Sequence, residues 1–242
     1  MPPHRVLAAL AVTATLLATP ASAQEAAALD RIEVTGSRIS YDDLLDTPAI
    51  SLTRRGDYLS QSITLVNDTR DEAGRRKEIH GTIEKLLARA GSSYTVLHGD
   101  TYPVVLERSN HQVELKDDGK RPDVSRVALQ VKVALGDATV DGAQQIRALR
   151  RFVQETPKVG RTEIDLSDET ALGMNKPERY RYELIAAIAA DAHRVGESIG
   201  AGCRIDLEGL NSRMEWERVG AVEMLLYVRY GMVVRDCGGR RE

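Results

Sequence analysis

The chain has 242 residues, a formal net charge of −3 and 29% charged residues, a balance typical of a soluble globular protein. This charge gives no electrostatic basis for binding nucleic acid, so we expect no nucleic-acid partner. Aromatic residues make up only 4% of the chain, so aliphatic side chains must form most of the core of its one large or two small domains.

The first 23 residues are typical of a cleavable secretory signal peptide. His4 and Arg5 give a short basic start, an apolar run extends from Val6 to Leu17, and Ala21-Ser22-Ala23 supplies the small residues of a cleavage site. The apolar run is shorter than the roughly 20 residues that span a bilayer. We therefore predict a signal peptide at 1–23 and no transmembrane segment after its cleavage.

The first half of the exported chain begins with a leader. Residues 24–49 have little apolar periodicity and predict a flexible leader, with order beginning near Ile50. Tyr58–Asn67 has the composition of a strand. The spacing then becomes helical: a capping box at Thr69–Glu72, followed by apolar residues three and four apart, predicts a helix over 70–90.

The second half shows the same change of period. Ser125–Leu135 alternates apolar and polar residues, which predicts a strand with one buried face. The other predicted elements are short strands near 94–97, 104–107 and 112–115, a helix from Asp141 to Gln154, a short strand at Thr162–Leu166, a helix opened by Pro177 and ended by Gly200, and strands at Cys203–Glu208 and Val222–Val234.

This order of elements predicts an α+β fold with antiparallel sheets and about three helices packed on one side. Residues 50–237 form either one domain or two interlocked halves, 50–118 and 124–237, and a short tail follows at 238–242. Because no glycine-rich turn joins a strand to a helix, the sequence argues against a doubly wound nucleotide-binding fold.

No group of side chains in the sequence supports a named reaction. The histidines of the exported chain, at positions 80, 98, 111 and 193, share no metal-ligand spacing, and the G-x-S-x-G motif of serine hydrolases is absent. We therefore expect no catalytic residues, no cofactor and no metal site.

Cys203 and Cys237 are the two cysteines of the chain. In an oxidising compartment a single pair most simply forms a disulfide bond. A turn near Gly220 would place Cys203 opposite position 235, close enough to Cys237 for bonding. We predict this disulfide, and two free buried thiols are the alternative.

Two long predicted strands suggest an assembly. Ser125–Leu135 and Val222–Val234 are both long, and the second carries apolar residues on both faces. A strand buried on both faces needs cover from helices or from another subunit. We therefore expect a homo-oligomer.

The leader contains a short segment with a family resemblance. Residues 30–39, DRIEVTGSRI, resemble the N-terminal segment of TonB-dependent outer-membrane receptors, which TonB reads by strand addition. The exported chain is too short for the plug and barrel of such a receptor, so the resemblance is confined to the leader. It implies a partner strand for TonB or another envelope protein, formed by Asp30, Ile32, Val34, Thr35 and Gly36.

A broader resemblance covers about residues 50–234. The Ala-rich segment 182–200, YELIAAIAADAHRVGESIG, and the later Tyr227-Val228-Arg229-Tyr230 resemble the closing part of the SIMPL-domain family of exported proteins. The resemblance implies an α+β fold, a location in the cell envelope, ring-like oligomers and no known enzyme activity. The cleavage site and residues 30–39 predict a Gram-negative periplasmic location, and association with the outer membrane is a further expectation. The function predicted from the resemblance is assembly or binding. The alternatives are a TonB-interacting accessory protein that uses residues 30–39 and an unrecognised envelope hydrolase.

Overall fold

The computed structural model describes residues 31–34, 47–119, 121–136, 139–200, 202–235 and 237. The predicted signal peptide, most of the predicted leader and the predicted tail lie outside these ranges. The elements are β1 (Arg31–Val34), β2 (Leu52–Arg55), β3 (Tyr58–Asn67), α1 (Glu72–Ala90), β4 (Thr95–His98), β5 (Val104–Val105), β6 (Lys116–Asp118), β7 (Arg121–Ala134), α2 (Gly142–Gln154), β8 (Glu163–Asn175), a 3-10 turn (Pro177–Tyr180), α3 (Arg181–Ile199), β9 (Arg204–Glu208), β10 (Glu215–Arg218), β11 (Glu223–Tyr227) and β12 (Gly231–Arg235).

The largest sheet has seven antiparallel strands with β3 near its centre. Its order is β1-β8-β3-β7-β4-β5, and β6 also pairs with β7. β3 pairs along its whole length with β7, from Tyr58 opposite Ala134 to Asn67 opposite Ser125, and on its other side with β8. The strand from the first predicted half is therefore hydrogen-bonded to two strands of the second half.

Helices α1 and α2 pack on the same face of this sheet. Their buried side chains share one hydrophobic core with alternate residues of β3 and β7. Polar contacts mark the same face, because Arg75 of α1 donates to Ser125 Oγ at 2.9 Å and Arg150 of α2 donates to Gln61 Oε1 at 3.4 Å. Helix α3 packs against β9. The predicted α+β class is confirmed.

The helices lie where the sequence periodicity predicts them, but two of them begin differently. The side chain of Asp71, and not that of Thr69, caps α1 by accepting from Gly74 N at 2.7 Å. Asp141 caps α2 as predicted. Pro177 opens a 3-10 turn, and the α-helix that follows starts at Arg181.

Three strand predictions are wrong. No strand forms at 112–115, where the chain stays irregular until β6 begins at Lys116. The predicted short strand at Thr162–Leu166 is only the beginning of β8, which continues past an irregularity opposite Ser62 to Asn175. The predicted single strand Val222–Val234 is two strands, because β11 pairs with β10 and β2 whereas β12 pairs with β9. Residues 228–230 carry the chain from the three-stranded sheet β10-β11-β2 to the two-stranded sheet β9-β12.

Buried polar side chains hold the irregular part of β8. Gln61 is fully buried, and its Nε2 donates to the backbone oxygen and to Oγ of Ser167, both at 2.9 Å. Thr170 Oγ1 donates to Gln61 Oε1 at 2.6 Å. Arg150 reaches the same place and donates to the backbone oxygens of Ser167 and Asp168 at 3.0 and 2.9 Å. The backbone oxygens that lose their strand partners at the bulge therefore accept hydrogen bonds from side chains instead.

Arg218 joins the three-stranded sheet to β8. Only 5% of this residue is exposed, and its guanidinium donates to the backbone oxygens of Thr170, Gly220 and Ala221 at 2.6, 3.0 and 2.7 Å. Burial lowers the pKa of Arg218 from its ordinary value, and attraction to nearby carboxylates opposes this shift. The arginine thus connects two sheets through carbonyl oxygens that have little access to water.

Glu78 of α1 holds the loop that leads into β8. Its Oε2 accepts hydrogen bonds from Asn67 Nδ2, Thr69 Oγ1 and the backbone N of Arg161 at 2.7, 2.8 and 2.9 Å. These hydrogen bonds, that of Asn67 most strongly, lower the pKa of Glu78. Gly160 has a φ of 57°, and a Cβ at this position would overlap the Glu78 carboxylate. The close approach of loop and helix therefore requires glycine here.

Arg218→Met should lower the free energy of unfolding by about 3 kcal/mol, because it leaves buried carbonyl oxygens without donors. Urea unfolding followed by circular dichroism measures the change. Arg213→Met is the matched control, since Arg213 is an exposed arginine shortly before β10. It should change the free energy by less than about 0.5 kcal/mol. Equal effects of the two variants would contradict the role of Arg218.

Glu78→Gln should lower the free energy of unfolding at neutral pH by about 1 kcal/mol, a value that allows for the partial exposure of the side chain. The folded-state pKa lies below the ordinary value of 4.5. The contribution of the carboxylate is therefore complete above that value and is lost as the pH falls through the lowered pKa.

The measurement is urea unfolding of both proteins across the acidic range. The difference in the free energy of unfolding between the wild type and Glu78→Gln should shrink as the pH falls. Glu114→Gln, which changes an exposed carboxylate, is the matched control and should not show this decrease. A difference that stays constant down to about pH 3 would rule out the proposed role of the carboxylate.

Candidate functional site

The leader segment that resembles a TonB-binding motif contains strand β1. Arg31–Val34 pairs with the outer edge of β8, with Ile32 opposite Met174 and Val34 opposite Leu172. The backbone of this segment therefore has the extended conformation that strand addition requires. Of the predicted partner-strand residues, Asp30, Thr35 and Gly36 lie outside the described residues.

The side chains of β8 differ in charge and exposure between the beginning and the end of the strand. Leu172–Asn175 pairs with β1, whereas Glu163, Asp165, Asp168 and Glu169 in the preceding part are exposed. Charged side chains on an edge strand discourage pairing with another strand. The composition of β8 therefore favours strand addition at its last four residues.

The two cysteines come together at the end of the sheet β9-β12. Their sulfur atoms lie at disulfide-bonding distance. Arg204 lies opposite Arg235, one position from the register that the sequence predicts. The predicted turn near Gly220 joins β10 to β11. The hairpin β10-β11 therefore lies in the chain between β9 and β12, the strands next to the two cysteines.

A groove of about 720 Å³ lies between α3 and β9. Small residues of the helix form one wall, and Ile205 and Leu207 form the other. The exposed side chains of His193 and Glu197 stand beside it, with Nδ1 of the histidine 3.5 Å from the carboxylate. The groove can therefore take an apolar side chain whose far end carries a polar group. The helix wall consists of Ala189, Ala192, Gly196 and Gly200.

Two histidines that the sequence separates by thirty positions lie close together. The rings of His80 and His111 have centroids 6.3 Å apart. Nε2 of His80 lies 3.0 Å from the backbone oxygen of Val113, and Nε2 of His111 lies 3.0 Å from a carboxylate oxygen of Glu84. These ring nitrogens already have partners within the protein.

The other two histidines lie in separate places. His98 Nδ1 contacts the backbone oxygen of Ala128 at 3.2 Å, and His193 is exposed on α3. Within the described part of the chain, no three or more His, Cys, Asp or Glu side chains are arranged to hold a metal ion. In the same residues, no helix combines the length and the apolar character needed to cross a membrane.

Comparisons of the chain with protein-family models, with curated proteins and with solved structures found no match. The resemblances to SIMPL domains and to the TonB-binding segment therefore stay predictions from the sequence.

The unreduced mature protein, once denatured, should show no reactive thiols, because Cys203 and Cys237 are joined. Two reactive thiols per chain would contradict the bond. The double variant Cys203→Ser/Cys237→Ser should unfold with a free energy lower by about 3 to 4 kcal/mol, as the chain-entropy model gives for a loop of this size. Wild-type protein in excess reductant is the control and should match the double variant.

Proposed function

We propose that the exported chain is a non-enzymatic, SIMPL-like protein of the Gram-negative periplasm, associated with the outer membrane, that acts through assembly and binding. The observation that carries the proposal is the pairing of β1 with β8, in which a distant segment joins the sheet through its backbone. Strand addition at a sheet edge is a common way for proteins to recognise extended segments.

The opposite edge of the same sheet supports a role in binding. Tyr102, Val104 and Val105 are 64%, 57% and 46% exposed, and the two valines form β5 at the end of the strand order. Large apolar side chains grouped at a sheet edge favour contact with another protein. Both ends of the seven-stranded sheet thus have features of a binding surface.

Fractionation of cells that express the whole chain tests the location. The periplasmic fraction should contain a protein that begins at Gln24 and is smaller than the 26.6 kDa full-length chain. Retention of the full-length chain in the cytoplasm would contradict the proposal. Turnover of an ester, amide or glycoside substrate by the purified protein would favour the hydrolase alternative instead.

A second function is favoured by the strand conformation of Arg31–Val34. We propose that residues 30–39 bind the periplasmic domain of TonB by strand addition, through the backbone of the leader. Immobilised TonB domain should retain the mature chain and should not retain a mature chain in which residues 30–39 are scrambled. Equal retention of both proteins would contradict this second function and leave the first unaffected.

A further inference from the structure

The exposed side of α3 has an unusual composition for a surface helix. Tyr182 is 81% exposed near its start, and the residues that follow on this side include the exposed Ala186, Ala189 and Ala190. The helix buries only Leu184, Ile188 and Ala192. A large exposed aromatic ring is typical of a surface that contacts another protein, and the small side chains beside it leave space for that protein to approach.

Three residues of this side are spaced by seven. Tyr182, Ala189 and Gly196 follow one another at about 20° of rotation per step, so they lie along one line of the helix. Gly196 lines the groove between α3 and β9, and its Cα has room beside it, because an added Cβ would lie 3.6 Å from Ile205. One end of the line therefore carries an exposed ring, and the other end carries a groove.

This arrangement is self-complementary. If two copies of α3 pack antiparallel about a two-fold axis at Ala189, Tyr182 of each copy lies over Gly196 of the other. Such an interface uses the same surface on both subunits and closes with two copies. Ala189 and Gly196 on the line allow the two helix backbones to approach closely.

The polar groups beside the line agree with the same axis. Each tyrosine hydroxyl would lie near His193 and Glu197 of the other copy, which gives the buried ring a polar partner. The His193–Glu197 pair at each groove is therefore placed to receive the tyrosine hydroxyl of the other copy.

We propose that the protein forms a two-fold symmetric dimer through α3, in which Tyr182 of each copy enters the groove between α3 and β9 of the other. The inference rests on the proposed role in assembly and names the partner as a second copy of this chain.

Light scattering of the mature protein at tens of micromolar should give twice the monomer mass. Tyr182→Ala should weaken the dimer at least tenfold and leave the circular dichroism spectrum unchanged, because the ring is exposed in the monomer. Gly196→Met should also weaken the dimer, since its side chain fills the groove. Lys85→Ala is the control, because it removes a long exposed side chain from α1, and it should leave the mass unchanged.

Cross-linking tests the axis itself. In the Ala189→Cys variant the two introduced cysteines of a dimer lie next to each other at the axis, so oxidation should give a covalent dimer. Lys77→Cys places the cysteine on α1, away from the axis, and oxidation of this variant should give no covalent dimer. A monomer mass for the wild type, or a dimer that Tyr182→Ala leaves intact, would overturn the α3 interface. The second result would leave assembly itself standing through another surface, so the two failures are distinguishable.

Discussion

Thr170 is the point at which two buried polar networks meet. Its hydroxyl donates to Gln61 in the centre of the large sheet, and its backbone oxygen accepts from Arg218 of the neighbouring sheet. Buried polar groups strongly favour the one arrangement in which every partner is present. The bulge of β8, the position of α2 and the attachment of the three-stranded sheet all depend on this arrangement.

The same strand is held at its beginning by a separate set of contacts. Glu78 and Thr82 of α1 bind the loop before β8, the first through the backbone N of Arg161 and the second through that of Val159. The strand on which β1 adds is therefore restrained at its beginning and in its middle by side chains of neighbouring elements. A preorganised edge loses little conformational freedom when another strand pairs with it, which supports binding by strand addition.

Periodicity in the sequence was enough to predict α1, α2 and most of β7, because regularly spaced apolar residues mark one buried face in each. It was not enough for β11 and β12. Apolar alternation continues through residues 228–230, yet the chain changes its sheet there, and alternation carries no information about which strand is the partner. The premise of one long strand is wrong, because β11 ends at Tyr227 and β12 begins at Gly231 in another sheet, whereas the homo-oligomer itself stays a prediction.

The sequence predicts some of the buried polar side chains and not others. Gln61 occupies a position in phase with Leu59 and Ile63, so a polar residue on the buried face of β3 was readable in advance. Arg218 gave no such signal, since Thr170, its partner on β8, lies 48 positions earlier in the chain, and its other partners are backbone oxygens of the turn that follows β10. The histidine pair His80 and His111 was equally hidden, because a loop and a helix bring it together.

The central place of β3 also determines how the protein can fold. Ile63 is paired with Leu129 on one side and with Leu166 on the other, so its partners lie far along the chain. Closing such long loops delays the formation of a sheet, and topologies of this kind fold slowly. In a chain that emerges N-terminus first, the apolar β3 has no partner until β7 has emerged, and one of its edges stays open until β8 follows. During that interval the strand is open to aggregation, and a chaperone that shields it would raise the yield of folded protein.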